Sequence, residues 1–132
     1  MWLVKTEPTA YAYDDLAKAK RTVWDGVKNT MALRNLRQMK LGDRVFVYHT
    51  GDEKAVVGVA EVVRAAYPDP QASFPSQMVV DLQAVGPLPR RVTLAEIKAR
   101  KEFEESPLVR QGRLSVVPLT AAQVKVIETL AQ

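Results

Sequence analysis

Trp24, Asn29, Tyr48, His49 and Thr50 are the side chains of this sequence best suited to chemistry. In Thr22-Val23-Trp24-Asp25-Gly26-Val27-Lys28-Asn29 an indole precedes a short amide within a polar stretch. Two readings of Trp24 stand side by side: it anchors a turn into the core, or its face is a wall on which a flat ligand stacks. Stacking of a base on an aromatic contributes about 1–3 kcal/mol, and Asn29 can offer both a donor and an acceptor to a base edge. Tyr48-His49-Thr50 ends a strand-like run, where alternation turns Tyr48 and Thr50 to one face and His49 to the other.

Catalysis has little to work with. His49 is the only histidine and there is no cysteine, so thiolate nucleophiles, disulfides and cysteine-type zinc sites are excluded. The sequence has no nucleophile-elbow pattern, and its six glycines are too dispersed for a phosphate-cradling loop. A lone strand histidine is more often structural than catalytic. No catalytic residue, metal ligand or cofactor is therefore assigned.

Charge points to a partner. The formal net charge is +4, and the whole excess lies in residues 1–50, which hold nine Lys/Arg against five Asp/Glu. Between Lys18 and Arg44, eight basic residues face only Asp25 and Asp43. A field of one sign on one region suits an anionic partner, nucleic acid being the commonest, although a solvated helix face gives the same pattern. Lys28, Arg34, Arg37 and Lys40 are the candidate phosphate contacts.

The elements that must position these groups can be outlined. Residues 2–5 read as a strand broken by Pro8, and residues 13–19 as a short helix. Asn29 can cap a helix over 29–40, with Met31, Leu33, Leu36 and Met39 turned inward, basic residues outward, and Gly42 as the stop. Strands are predicted at 44–50, at 55–63 with a bulge or close approach at Gly58, and at 77–85, closed by Gly86-Pro87. Tyr67-Pro68-Asp69-Pro70 reads as a loop. Capping-box spacing at Thr93–Glu96 and Thr120–Gln123 opens helices at 94–101 and up to about 130, with a last strand at 114–117. Strands interrupted by short helices without regular alternation predict an α+β fold, a small curved sheet or barrel.

Trp2-Leu3-Val4-Lys5-Thr6-Glu7-Pro8, Trp24 to Asn29, Met39-Lys40-Leu41-Gly42-Asp43, Tyr48-His49, Tyr67-Pro68-Asp69 and Arg113-Leu114-Ser115-Val116 together resemble the successive motifs of the EVE domain family, in order and over nearly the whole chain. That resemblance implies one domain over residues 1–132. Its fold would be α+β and PUA-like, a curved β-sheet or pseudo-barrel with peripheral short helices. It implies non-catalytic binding of a modified base in DNA or RNA, in an aromatic-lined pocket. By motif, the pocket would draw on Lys5, Glu7, Pro8, Trp24, Asn29, Tyr48, His49, Thr50 and Ser115. Trp24 would stack; Asn29, Thr50 and Ser115 would read base edges; Lys5 and the basic helix would meet phosphate. Lys28, Thr50 and Val117 stand where the family commonly has Arg, Ser and Gln.

The expected protein is a monomer with nucleic acid as partner and no membrane association. No apolar run approaches the ~20 residues that span a bilayer, and Met1 to Pro8 lacks the basic leader of a signal peptide, so a soluble, cytoplasmic protein is expected. A sensor of a free nucleobase or nucleoside, or a nucleotide-processing enzyme using His49, are the alternative readings.

Overall fold

The computed structural model describes all 132 residues. The apolar run after Met1 forms β1 (Trp2–Thr6), and after a loop come α1 (Tyr13–Ala19), β2 (Arg21–Trp24) and α2 (Thr30–Gln38). Three long strands follow, β3 (Arg44–His49), β4 (Ala55–Pro68) and β5 (Met78–Thr93). Then come α3 (Leu94–Lys98), a 3-10 turn at Lys101–Phe103, α4 (Pro107–Arg110), β6 (Val116–Pro118) and α5 (Ala121–Leu130).

The six strands form one sheet in the order β2-β5-β4-β3-β1-β6. Only β1 and β3 run parallel; the other neighbours are antiparallel. The fold is α+β with a curved sheet and short helices, as expected, but the outer strands β2 and β6 do not pair with each other. The sheet is open, which corrects the expectation of a barrel. One cluster of 31 buried residues runs from Trp2 to Ala131 and takes side chains from both ends of the chain.

Local chemistry explains most elements. Asn29 caps α2, its Oδ1 accepting the Ala32 N–H at 3.0 Å. Thr93–Glu96 and Thr120–Gln123 form reciprocal capping boxes at α3 and α5. Gly58 sits at a register shift in both β3–β4 and β4–β5 pairing, and a Cβ there would meet the Tyr13 ring at 2.4 Å. Both parts of the expectation for Gly58 hold.

Four expectations need correction. Trp24 ends a strand rather than sitting in a turn, because β2 pairs with Val80–Gln83 of β5. Met31 is 45% exposed while Leu33, Leu36 and Met39 are buried; the buried face of α2 is centred on Ala32, Leu33, Asn35 and Leu36, and Met31 falls outside it. Tyr67 and Pro68 close β4 instead of forming a loop. Finally, β5 runs through Gly86-Pro87 to Thr93. β2 covers β5 only as far as Gln83, so Pro87 and Pro89 lie beyond it, where one edge needs no donor.

Candidate nucleic-acid interface

A cleft of about 440 Å³ opens beside the end of β2, lined by Lys5, Thr6, Ala10, Tyr11, Thr22, Val23, Trp24 and Asp25. Trp24 is 7% exposed and packs in the core, as the first of its two readings expects, and it also borders the cleft. Tyr11 meets the indole edge to face, with ring centroids 6.1 Å apart and planes at 80°. The two rings make a corner, an arrangement that aromatic quadrupoles favour. Lys5 places a cation at this corner and Asp25 an anion.

The loop between β1 and α1 carries Ala10 and Tyr11, and it is held at both ends. Thr6 Oγ1 donates to the Tyr11 carbonyl at 2.7 Å, and the Ala10 and Tyr11 amides donate to the Glu7 carbonyl at 2.9 Å. The Tyr13 N–H donates to His49 Nε2 at 3.0 Å. Glu7 Oε2 accepts from Thr50 Oγ1 at 3.2 Å, and Oε1 accepts from the Thr9 amide and hydroxyl. Glu7 and Thr50 thus tie the loop to the turn after β3. The Lys5 ammonium donates to the Gly112 carbonyl at 2.9 Å and lies 5.5 Å from the Tyr48 ring centroid. Burial there pushes Lys5 below its ordinary pKa and Tyr48 above its own.

Of the nine residues expected to contact a base, Lys5 and Trp24 line the cleft. Tyr48 lies under Lys5 as its cross-strand neighbour in the parallel pair. Glu7, Pro8 and Thr50 belong to the supporting loop and turn. Ser115 offers its carbonyl to the Lys5 amide at 3.0 Å, which aligns the segment after β1. Asn29 spends its side-chain oxygen on the α2 cap. His49 is 8% exposed, and its Nδ1 lies 2.8 Å from Glu53 Oε1. Both ring nitrogens are therefore engaged within the protein, and His49 supports the loop rather than facing the cleft.

Thr22 and Asp25 stand in the sequence segment around Trp24, whereas Tyr11 joins the cleft from outside every segment expected to form the site. Tyr11-Ala12-Tyr13 carried a signal, two aromatics ahead of Asp14-Asp15, but nothing local shows that Tyr11 will meet Trp24. The expected phosphate contacts Lys28, Arg34, Arg37 and Lys40 are all exposed, and Arg37 also donates one N–H to the Ser76 carbonyl at 2.8 Å.

A larger depression of about 600 Å³ lies where the chain ends meet, lined mainly by aliphatic and proline side chains with Arg44 and Glu128. Volume alone would favour it; the aromatic corner and convergent polar groups favour the Trp24 cleft. No cluster of three or more His, Asp or Glu side chains is placed to hold a metal ion. No helix is long and apolar enough to cross a membrane.

Comparison with known proteins completes the description. Residues 1–130 match the family model described as EVE domain. Human thymocyte nuclear protein 1 is 30% identical, with 99% of this chain and 73% of that protein covered. That alignment runs over 165 positions against the 132 residues here, so the relative carries segments this chain lacks. Among solved structures, a protein from Agrobacterium tumefaciens superposes with a TM-score of 0.93 at 35% identity, over 98% of this chain and 91% of that one. Human THYN1 protein in complex with 5-methylcytosine containing DNA gives a TM-score of 0.90 at 31% identity, over 99% of this chain and 96% of that one. An ASCH protein from Zymomonas mobilis, at 13% identity and a TM-score of 0.62, shares the fold.

Proposed function

The chain belongs to the EVE domain family, and on that premise we propose that residues 1–132 act as one reader of a modified nucleobase in DNA. The observation that carries this reading is the corner of Trp24 and Tyr11 with Lys5 and Asp25 beside it. A base turned out of its stack presents a flat face and a polar edge, and this cleft offers an aromatic wall with charged and hydroxyl groups around it. Extruding a base costs a few kcal/mol, which stacking and phosphate contacts offset. The human relative's complex with 5-methylcytosine DNA supports the same chemistry and makes methylated cytosine the first ligand to test.

Binding without turnover fits the site, because the one imidazole is engaged at both nitrogens. Lys28, Arg34, Arg37 and Lys40 remain the proposed cations of α2 and its flanks, with RNA as a second polymer to compare. A monomer suffices, since the cleft is built from one chain. The cytoplasmic expectation stands against relatives whose name includes the word nuclear; the proposed activity needs only access to nucleic acid. The test is a titration of two duplexes of identical sequence, one carrying a single 5-methylcytosine. Tighter binding of the methylated duplex is expected, and equal binding of both would contradict the reading.

A further inference from the structure

Arg21 is bonded to one buried carboxylate, Asp81, and Arg64 is stacked on the tyrosine, Tyr67, that bonds the same carboxylate. Asp81 of β5 has Val23 of β2 as its neighbour on one side and Arg64 of β4 on the other. It is 6% exposed. Its Oδ1 accepts from the Tyr67 hydroxyl at 2.6 Å and its Oδ2 from Arg21 Nη2 at 2.8 Å. The Arg64 guanidinium lies 3.6 Å from the centroid of the Tyr67 ring, a cation–π stack. Burial alone would push the Asp81 carboxyl up, but the hydrogen bonds from Tyr67 and Arg21, with both arginine charges, outweigh it and hold the carboxyl below its ordinary value.

The cluster therefore holds two guanidinium groups against one carboxylate, a net charge of +1, and it fixes both side chains in advance. The Arg21 side chain is 53% exposed and gives one N–H to Asp81, which leaves the rest of its fork open. Arg64 is exposed, and its stack occupies the face of the group while its N–H edge stays open. A preordered planar fork is the side chain best matched to phosphate oxygens. Arg21 stands on the strand that borders the cleft, on the face it shares with Val23 and opposite that of Trp24. Thr22 and Val23, which follow Arg21 on β2, line the Trp24 cleft, and Val23, the neighbour of Asp81, is 46% exposed. The expected phosphate contacts, Lys28, Arg34, Arg37 and Lys40, include neither arginine.

We propose that Arg21 and Arg64, held around Asp81 and Tyr67, form a clamp for the phosphodiester backbone flanking the base in the Trp24 cleft. The clamp rests on the reading of the cleft as a base site. It gives Tyr67 a role: its ring carries Arg64 and its hydroxyl fixes the carboxylate that holds Arg21.

The test measures affinity for duplex DNA, with and without one 5-methylcytosine, across a salt series. Each phosphate contact removed lowers the slope of log affinity against log salt by about 0.9 for duplex DNA. Arg64→Gln and Arg21→Gln are each expected to lose about that much, and the double variant about twice it, with the methylated-to-unmethylated ratio unchanged. Arg64→Lys, which keeps the charge, is expected to retain the slope, as is Lys125→Gln on the exposed face of α5. Thermal unfolding identifies any variant that fails to fold, and Arg64→Gln is the cleaner one because it leaves the Arg21–Asp81 pair intact. Arg64→Gln with the wild-type slope, or a slope lost equally by Lys125→Gln, overturns the clamp. If the wild type binds both duplexes equally while Arg64→Gln lowers the slope, the base reading fails and with it the clamp's place beside a bound base, and only a phosphate contact at Arg64 is left.

Discussion

Nε2 of His49 accepts the backbone N–H of Tyr13 at 3.0 Å, and this contact fixes the tautomer of the only imidazole in the chain. An atom that accepts carries no proton, so the ring proton sits on Nδ1 and is donated to Glu53 Oε1 at 2.8 Å. The end of β3 is thereby pinned to the first residue of α1, two residues after Tyr11. One wall of the cleft depends on that pin.

Replacing His49 by Leu leaves the buried Tyr13 N–H without an acceptor, which costs about 1–3 kcal/mol. His49→Gln keeps a terminal oxygen that can accept in the place of Nε2, so it should recover most of the loss in denaturant unfolding and in DNA affinity. Equal behaviour of the two variants would show that the pin does not matter. Nitrogen NMR of the single imidazole should report the proton on Nδ1.

Acid should weaken the fold through Glu53 and Asp81. The hydrogen bond from His49, with help from Arg91, holds the Glu53 carboxyl below its ordinary value against the opposing effect of burial; Asp81 is lowered as described. Groups with depressed folded pKa values stabilise above the unfolded pKa, near 4 for these carboxyls, and the contribution is lost as pH falls through the folded values. Midpoints of unfolding measured from pH 6 down to pH 2 should fall, and Asp81→Asn should flatten the curve.

Gly58→Ala drives a methyl group into the Tyr13 ring, whose hydroxyl also donates to the Val59 carbonyl at 2.7 Å. Overpacking of this kind costs about 1–3 kcal/mol. Because Tyr13 follows the cleft loop, DNA affinity should fall together with stability. An alanine variant as stable as wild type would refute the close approach.

Asn29→Ala should separate folding from recognition. Losing the α2 cap costs about 1 kcal/mol, readable as a shift in the unfolding midpoint. The preference for a methylated duplex should persist, since the Asn29 oxygen faces the helix. Loss of that preference at full stability would restore Asn29 as a base-reading residue.

Three of the helices, α2, α3 and α5, were legible because capping chemistry is local: Asn29, Thr93 and Thr120 announce their elements within four residues. Gly58 was legible because a glycine inside a β-branched run has few explanations besides bulge or contact. β2 was not, since four residues between Lys20 and Asp25 form a strand only by pairing with β5, nearly sixty residues away. Pro87 suggested a strand end, yet β5 runs through it, because whether a proline ends a strand depends on which edge is free. The site divides in the same way. Trp24 and Lys5 stand out by type and motif, whereas the Tyr11 wall, the His49 pin and the Arg21–Asp81–Tyr67–Arg64 cluster are tertiary contacts that no local pattern contains.

The central claim is that the Trp24–Tyr11 corner selects the base, and Tyr11→Leu tests it most directly. Tyr11 is half-buried, so leucine keeps apolar bulk while removing the aromatic wall. Titrating wild type and variant with paired duplexes, methylated and unmethylated at one cytosine, should show a clear preference in the wild type. Stacking of about 1–3 kcal/mol predicts a fall of roughly 5- to 150-fold in methylated-duplex affinity for the variant, with the salt slope and fold intact. A folded Tyr11→Leu protein that keeps the full preference would contradict the account.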